Sequence, residues 1–197
     1  MKENSKFKGL YLEGPDKGKE FIGWDSRSVA VTLVVACKDP ETGKLKFLCE
    51  KRGPGCPDNI GKYVFPCGYV NWGEALREAA CRELYEETGL TLEPGSLKFV
   101  GINDSPSENR QNITIRFAYV TFDVEGFMEK FYHEVNTDSK SRGGEGGECD
   151  EIVMMPYNEI VGNPEKFAFG HSKLAEQVMK HHIEILLSRF YWDSLKG

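Results

Sequence analysis

GYVNWGEALREAACRELYEETGL, residues 68–90, is the stretch from which the rest of the chain is best read. After Gly73 the run Glu74–Thr88 is dominated by Ala, Leu, Glu and Arg, all strong helix formers, and Gly89 follows as a natural C-terminal stop. The composition predicts a helix over Glu74–Thr88. At about 100° per residue, Glu83, Glu86 and Glu87 fall within an arc of roughly 100° on one side of it. Two of those spacings set like charges together, each at a cost of roughly 0.2–0.5 kcal/mol in an isolated helix. Arg82 lies four residues after Glu78 and four before Glu86, which relieves the repulsion without neutralising the three acids. Converging carboxylates of this kind suit a hard divalent cation such as Mg²⁺ (or Mn²⁺), which takes oxygen ligands and is commonly shared with substrate phosphates. Gly68, ahead of the helix, is expected to let the backbone turn sharply and to offer its carbonyl to the same metal.

On the N-terminal side, SVAVTLVVAC (28–37) is a β-branched run of the kind found in buried strands, and Leu45–Glu50 reads as the strand returning from a turn at residues 39–43. Gly53–Gly61 is a loop, and Tyr63–Pro66 a single short strand stopped by its proline. Residues 1–27 read as an irregular or weakly stranded lead-in to one domain over 28–197. On the C-terminal side, strands are expected at about Leu97–Ile102 and Asn112–Phe122, with a last one at Ile152–Met155. Between them, Phe127, Phe131 and Val135 could mark a short helix, and 136–149 reads as a Gly-rich insertion. Leu174–Phe190 carries a broad apolar face and predicts a final helix. Strands flanking one helix and followed by another point to an α/β chain, a mixed α+β sheet sandwiched between helices.

The 197 residues carry 25 Lys and Arg against 31 Asp and Glu, a net charge of −6, and 40% are hydrophobic. Such a balance describes a globular domain and argues against a protein that coats nucleic acid phosphates with cations, so no nucleic-acid partner is expected. The N-terminus shows no apolar segment after its charges, and the longest apolar run, Val29–Cys37, is far too short for a membrane span. Six scattered cysteines lack the spacing of a zinc site; Cys37, Cys49 and Cys81 read as small buried hydrophobes. A reducing cytoplasm, with no membrane partner, is the simplest expectation.

The segment resembles the Nudix box, G-x5-E-x7-R-E-U-x-E-E-x-G-U with U aliphatic, through Gly68, Glu74, Arg82, Glu83, Leu84, Glu86, Glu87, Gly89 and Leu90. Every specified position is filled, and the surrounding strand order is similar to the Nudix α/β/α sandwich. The resemblance implies that Glu83, Glu86 and Glu87 are metal ligands, that Arg82 and Glu74 orient them, and that the activity is hydrolysis of a nucleoside diphosphate linked to another group. A further glutamate from a late loop is implied as ligand or base; Glu145 and Glu148 are the candidates, and Glu148 the better because it lies nearer the Ile152 strand. Cys67 departs from the family, many of whose members have glycine there. Because some members build their site across two subunits, a homodimer is also among the expectations, with residues 1–27 reaching a neighbour.

Pro106, sixteen residues beyond Leu90, and the following Arg110 loosely resemble the ADP-ribose pyrophosphatases of that family, which implies ADP-ribose or a nucleotide sugar as substrate. Sanitising hydrolysis of non-standard nucleoside triphosphates is the alternative, and a ligand-sensing Nudix domain a more distant one. Arg52, Arg110 and Arg116, each near a strand end, are candidate phosphate clamps, since a guanidinium can engage two phosphate oxygens at once. Tyr69, Trp72 and Trp24 are candidates either for stacking on a base or for ordinary packing. His181 and His182 read as a solvated helix face, and His171 as ambiguous.

Overall fold

The structure is a computed structural model and describes residues 6–24, 27–39, 42–106, 112–121 and 147–181. Arg110, Glu145, the 127–135 segment, most of the Gly-rich insertion, His182 and the end of the final helix therefore lie outside the described residues, as does the side chain of Trp24.

β3 (Ser28–Lys38) is the spine, with an unbroken buried run over 30–37. A strand can be apolar on consecutive residues only if both its faces are covered, and here they are. Val31, Leu33, Val35 and Cys37 face one core, which also contains Ala79, Ala80 and Leu84 of α1 (Leu76–Thr88). Val34 and Ala36 face the other, shared with Ile160 of α2 (Tyr157–Gly162) and with Leu174, Ala175 and Val178 of α3 (171–181). The result is the expected mixed sheet between helical layers. Each fully buried Leu or Val in these cores contributes about 1.5–3 kcal/mol of transfer free energy.

β3 runs parallel to β8 (Asn112–Thr121) on one side, and β8 is antiparallel to β7 (Lys98–Asn103). On its other side β3 meets β4 (Leu45–Arg52) only at Ala36–Lys38. Beyond that point the two strands part. β6 (Cys67–Tyr69) pairs with Ala30–Thr32, whereas β5 (Tyr63–Val64) pairs with Glu50 and Lys51. The expected single strand Tyr63–Pro66 is thus two strands, because Pro66 has no N–H to continue a ladder; its carbonyl accepts from Leu33 N–H at 2.9 Å. β9 (Cys149–Pro156) covers the far edge of β4 and is longer than the expected Ile152–Met155.

The lead-in holds an antiparallel pair, β1 (Lys6–Leu10) and β2 (Glu20–Trp24), which forms a sheet of its own. The composition around residues 157–162 gave no signal for α2, and α3 begins at residue 171, three residues before the apolar run that predicts it. Cys37 and Cys49 are buried as expected, Cys81 packs at the margin of the core, and all six cysteines are free thiols. Among the described residues no helix is long and apolar enough to cross a membrane.

Candidate functional site

The parting of β3 and β4 opens a cleft of about 1090 Å³ whose walls include Thr32, Glu50, Gly68, Arg82, Glu83, Glu86 and Glu87. The box helix forms one side. It begins at Leu76, two residues later than its composition predicts, because Glu74 is drawn out of the helix. The Glu74 carboxylate accepts from Asn71 N–H at 3.0 Å and receives the Arg82 fork through Nε at 2.7 Å and Nη2 at 3.0 Å. Glu78 then closes the first turn by accepting from Ala75 N–H at 3.2 Å. At the other end Gly89 adopts φ 81° and its N–H reaches the Tyr85 carbonyl, the left-handed stop that the sequence predicts.

Arg82 ties the site together. Besides Glu74, its Nη1 donates to Glu83 at 2.8 Å and to Glu86 at 2.9 Å, and its Nη2 to the Tyr69 carbonyl at 2.9 Å. Helix, preceding loop and β6 are thereby held in one register. The guanidinium holds the Glu74 carboxyl below the usual carboxylate range. Glu83, despite the same partner, is shifted upward, because burial outweighs Arg82.

Gly68 is required for a reason other than the expected turn. It lies in β6 opposite Val31, and its φ is not positive. A Cβ at this position would stand 2.2 Å from the Glu83 carboxyl carbon, so the glycine makes room for that carboxylate against the strand. Glu87 lies alongside, accepting from Cys67 N–H at 3.1 Å.

A fourth carboxylate escaped the sequence reading. Leu48 packs into the core beneath α1, and the two-residue period of β4 sets Glu50 on the same face, toward the box helix. Glu50 is 4% exposed and hydrogen-bonds to Glu87; its Oε1 has no hydrogen-bond partner among the described residues. Burial raises both Glu50 and Glu87 well above the ordinary carboxylate range. The charges of Glu50 and Glu83 add to the rise at Glu87, and at Glu50 the hydrogen bond with Glu87 opposes burial while the Glu83 charge reinforces it. None of the Arg82 hydrogen bonds goes to either of them. The signal in the sequence was slight: Glu50 shares its strand face with Lys46, Leu48 and Arg52, and Leu48 alone marks that face as buried.

The remaining candidates divide. Arg52, at the end of β4, lines the cleft; its Nε donates to the Asp58 carbonyl at 3.0 Å and its Nη2 to the Asp58 carboxylate at 3.1 Å. Its guanidinium also lies 5.1 Å from the ring centre of Phe169, a cleft residue held at φ 55°. Arg116 lines the same cleft and donates to Gln177 at 3.2 Å. Glu148 is exposed at the rim, and its carbonyl accepts from Gly53 N–H at 2.7 Å and from the Cys56 thiol at 3.1 Å. Tyr69 lines the cleft and is half exposed, whereas Trp72 is fully exposed and outside it, in contact with neither core. His171, the first residue of α3, is buried and accepts through Nδ1 from Phe65 N–H at 2.8 Å. His181 is exposed.

The donor chemistry suits a hard divalent cation, with four carboxylates lining one cleft and one of them carrying a buried oxygen without a hydrogen-bond partner among the described residues, although no three of the described His, Cys, Asp and Glu side chains are already gathered closely enough to enclose one.

Known proteins share this fold and part of its sequence. The chain is 27% identical over 120 residues to the ADP-ribose pyrophosphatase of Methanocaldococcus jannaschii, an alignment covering 61% of this chain and 59% of that relative. The chain thus spans about three fifths (59%) of that relative's length. In fold it resembles a mutT/nudix family protein from Listeria innocua (TM-score 0.61, 25% identity, 81% of this chain and 96% of the other). It also resembles the NUDIX domain of Shewanella oneidensis NrtR, solved with ADP ribose (TM-score 0.59, 16% identity, 80% of this chain and 89% of the other). The NUDIX domain model matches residues 27–178, from just before β3 into α3 and through every strand of the main sheet, and on that match this chain belongs to the NUDIX domain family.

Proposed function

We propose that this protein is a divalent-metal-dependent pyrophosphohydrolase that cleaves the phosphoanhydride of a nucleoside diphosphate joined to another group, with ADP-ribose or a nucleotide sugar as the substrate class. The observation that carries the proposal is the gathering of Glu83, Glu86 and Glu87 on one wall of the cleft, the first two held by Arg82 and the third by Cys67 N–H. Glu83, Glu86 and Glu87, with the Gly68 carbonyl, would hold Mg²⁺ or Mn²⁺. When bound, the cation supplies charge neutralisation for the phosphate oxygens and activation of a water.

The chain's own residues do the rest. Arg82 and Glu74 fix the carboxylates before substrate arrives, so that little reorganisation accompanies the reaction. Arg52, anchored by Asp58, and Arg116 line the cleft and would meet a diphosphate there, and Arg110, outside the described residues, is kept as a further clamp on the sequence resemblance alone. Glu148, exposed at the rim, is the residue we assign to take a proton from the attacking water. The likeness to an ADP-ribose pyrophosphatase supports the substrate class.

A screen of nucleoside diphosphate derivatives with Mg²⁺ or Mn²⁺ tests the proposal, with Glu86→Gln and Glu87→Gln as controls. ADP-ribose should yield AMP and ribose 5-phosphate, and each variant should turn over about 10²-fold more slowly or worse. Equal rates in wild type and both variants would remove these residues from the mechanism. Preferential hydrolysis of modified triphosphates to monophosphate and pyrophosphate would replace the substrate class with a sanitising one.

A further inference from the structure

Glu50 is not part of the box, lies eighteen residues before it and on a different element, yet it occupies the same site. Its carboxylate is buried on the α1 face of β4, in contact with Glu87. One of its oxygens, Oε1, is buried and has no hydrogen-bond partner among the described residues. A buried carboxylate oxygen left unpaired is destabilising unless a donor or a cation reaches it. Arg52, the next cation along β4, is engaged by Asp58, and Arg82 by Glu74, Glu83 and Glu86. Arg52 and Arg82 are thus engaged by other carboxylates, and Glu50 lines the cleft.

We propose that Glu50 is an additional ligand of the divalent metal centre, binding the cation directly through Oε1 from the strand side while Glu83 and Glu87 bind it from the helix side. The inference rests on the metal-centre reading above and adds to it a ligand from the sheet. It has a structural consequence: the cation would bridge β4 to α1, joining the two walls of the cleft where β3 and β4 part.

The test is direct binding of Mn²⁺ alone, followed by paramagnetic resonance of the free ion, to wild type, Glu50→Gln, Glu50→Asp and Glu83→Gln. Thermal unfolding with and without Mn²⁺ is the second readout. Glu50→Gln keeps the size of the side chain and removes a buried charge, so the metal-free protein should remain folded. Its Mn²⁺ affinity should fall about tenfold or more, and the rise in melting temperature on adding Mn²⁺ should shrink accordingly. Glu50→Asp, which keeps the charge on a shorter arm, should be weakened less than Glu50→Gln. Affinity within twofold of wild type in Glu50→Gln, with Glu83→Gln clearly weakened, would overturn the role of Glu50 and leave the metal centre standing. Failure of wild type itself to bind Mn²⁺ at millimolar concentration would overturn the metal centre and Glu50 together.

Discussion

At the scale of single residues, the site depends on one missing atom. Gly68 has no Cβ, and the Glu83 carboxylate occupies the place where one would be. The obstacle is the far end of a side chain and not backbone, so it can swing aside. Gly68→Ala should therefore cost little in stability, below about 1 kcal/mol by urea unfolding, since no core contact is lost. It should nevertheless cost about 10²-fold in hydrolysis, because Glu83 would leave the position in which Arg82 holds it. A large stability loss with unchanged kinetics per folded molecule would mean that Gly68 serves the strand and not the carboxylate. Glycine in the box was legible as a requirement from sequence, but its reason was not. A sharp turn and a close side-chain approach leave the same letter, and only the contact with Glu83 separates them.

At the scale of elements, the loop between β4 and β5 and the start of β9 are locked by backbone contacts. Gly53 N–H donates to the Glu148 carbonyl at 2.7 Å and Gly55 N–H to that of Gly147 at 3.2 Å. A Cβ on Gly53 would stand 2.1 Å from the Gly147 carbonyl oxygen, and here the obstacle is backbone, which cannot rotate away. Gly53→Ala should lower stability by about 1–3 kcal/mol in denaturant titration, the usual cost of forcing extra volume into a packed contact. It should also reduce hydrolysis if Glu148 contributes from this rim; wild-type rates in a destabilised variant would remove Glu148 from the mechanism. The elements themselves differ in how openly they were written. Helix α1 announces itself through its strong helix formers and the Gly89 stop, and strand β3 through an unbroken β-branched run that suits a strand buried on both faces. The division of Tyr63–Tyr69 into two strands with different partners, and the arrival of Glu50 beside Glu87, are set by which strands meet, and no local window contains that information.

At the scale of the whole molecule, the second half of the chain is fastened to the cleft by a histidine that cannot be charged without harm. His171 begins α3, stacks on Phe65 with ring centres 5.4 Å apart, and accepts the Phe65 N–H through Nδ1, which requires the neutral ring. Burial, with Arg116 and Arg52 nearby, lowers it from 6.5 to about 3. In the unfolded chain the same imidazole takes up its proton near pH 6.5. Above that pH neither state carries the proton and His171 makes no contribution to the pH dependence. As the pH falls below it, the unfolded state binds a proton that the folded state refuses, so stability falls until the folded value near 3 is reached. The slope should approach about 1.4 kcal/mol per pH unit from roughly pH 6 downward. His171→Asn can still accept from Phe65 N–H but has nothing to titrate, so urea unfolding of both proteins from about pH 7.5 to 4.5 isolates the term. The variant should be the less stable at the upper end, through lost stacking, and the difference should narrow steadily as the medium becomes acidic. Parallel curves over that range would mean that acid opens α3 by another route, with His171 already protonated in a loosened native state.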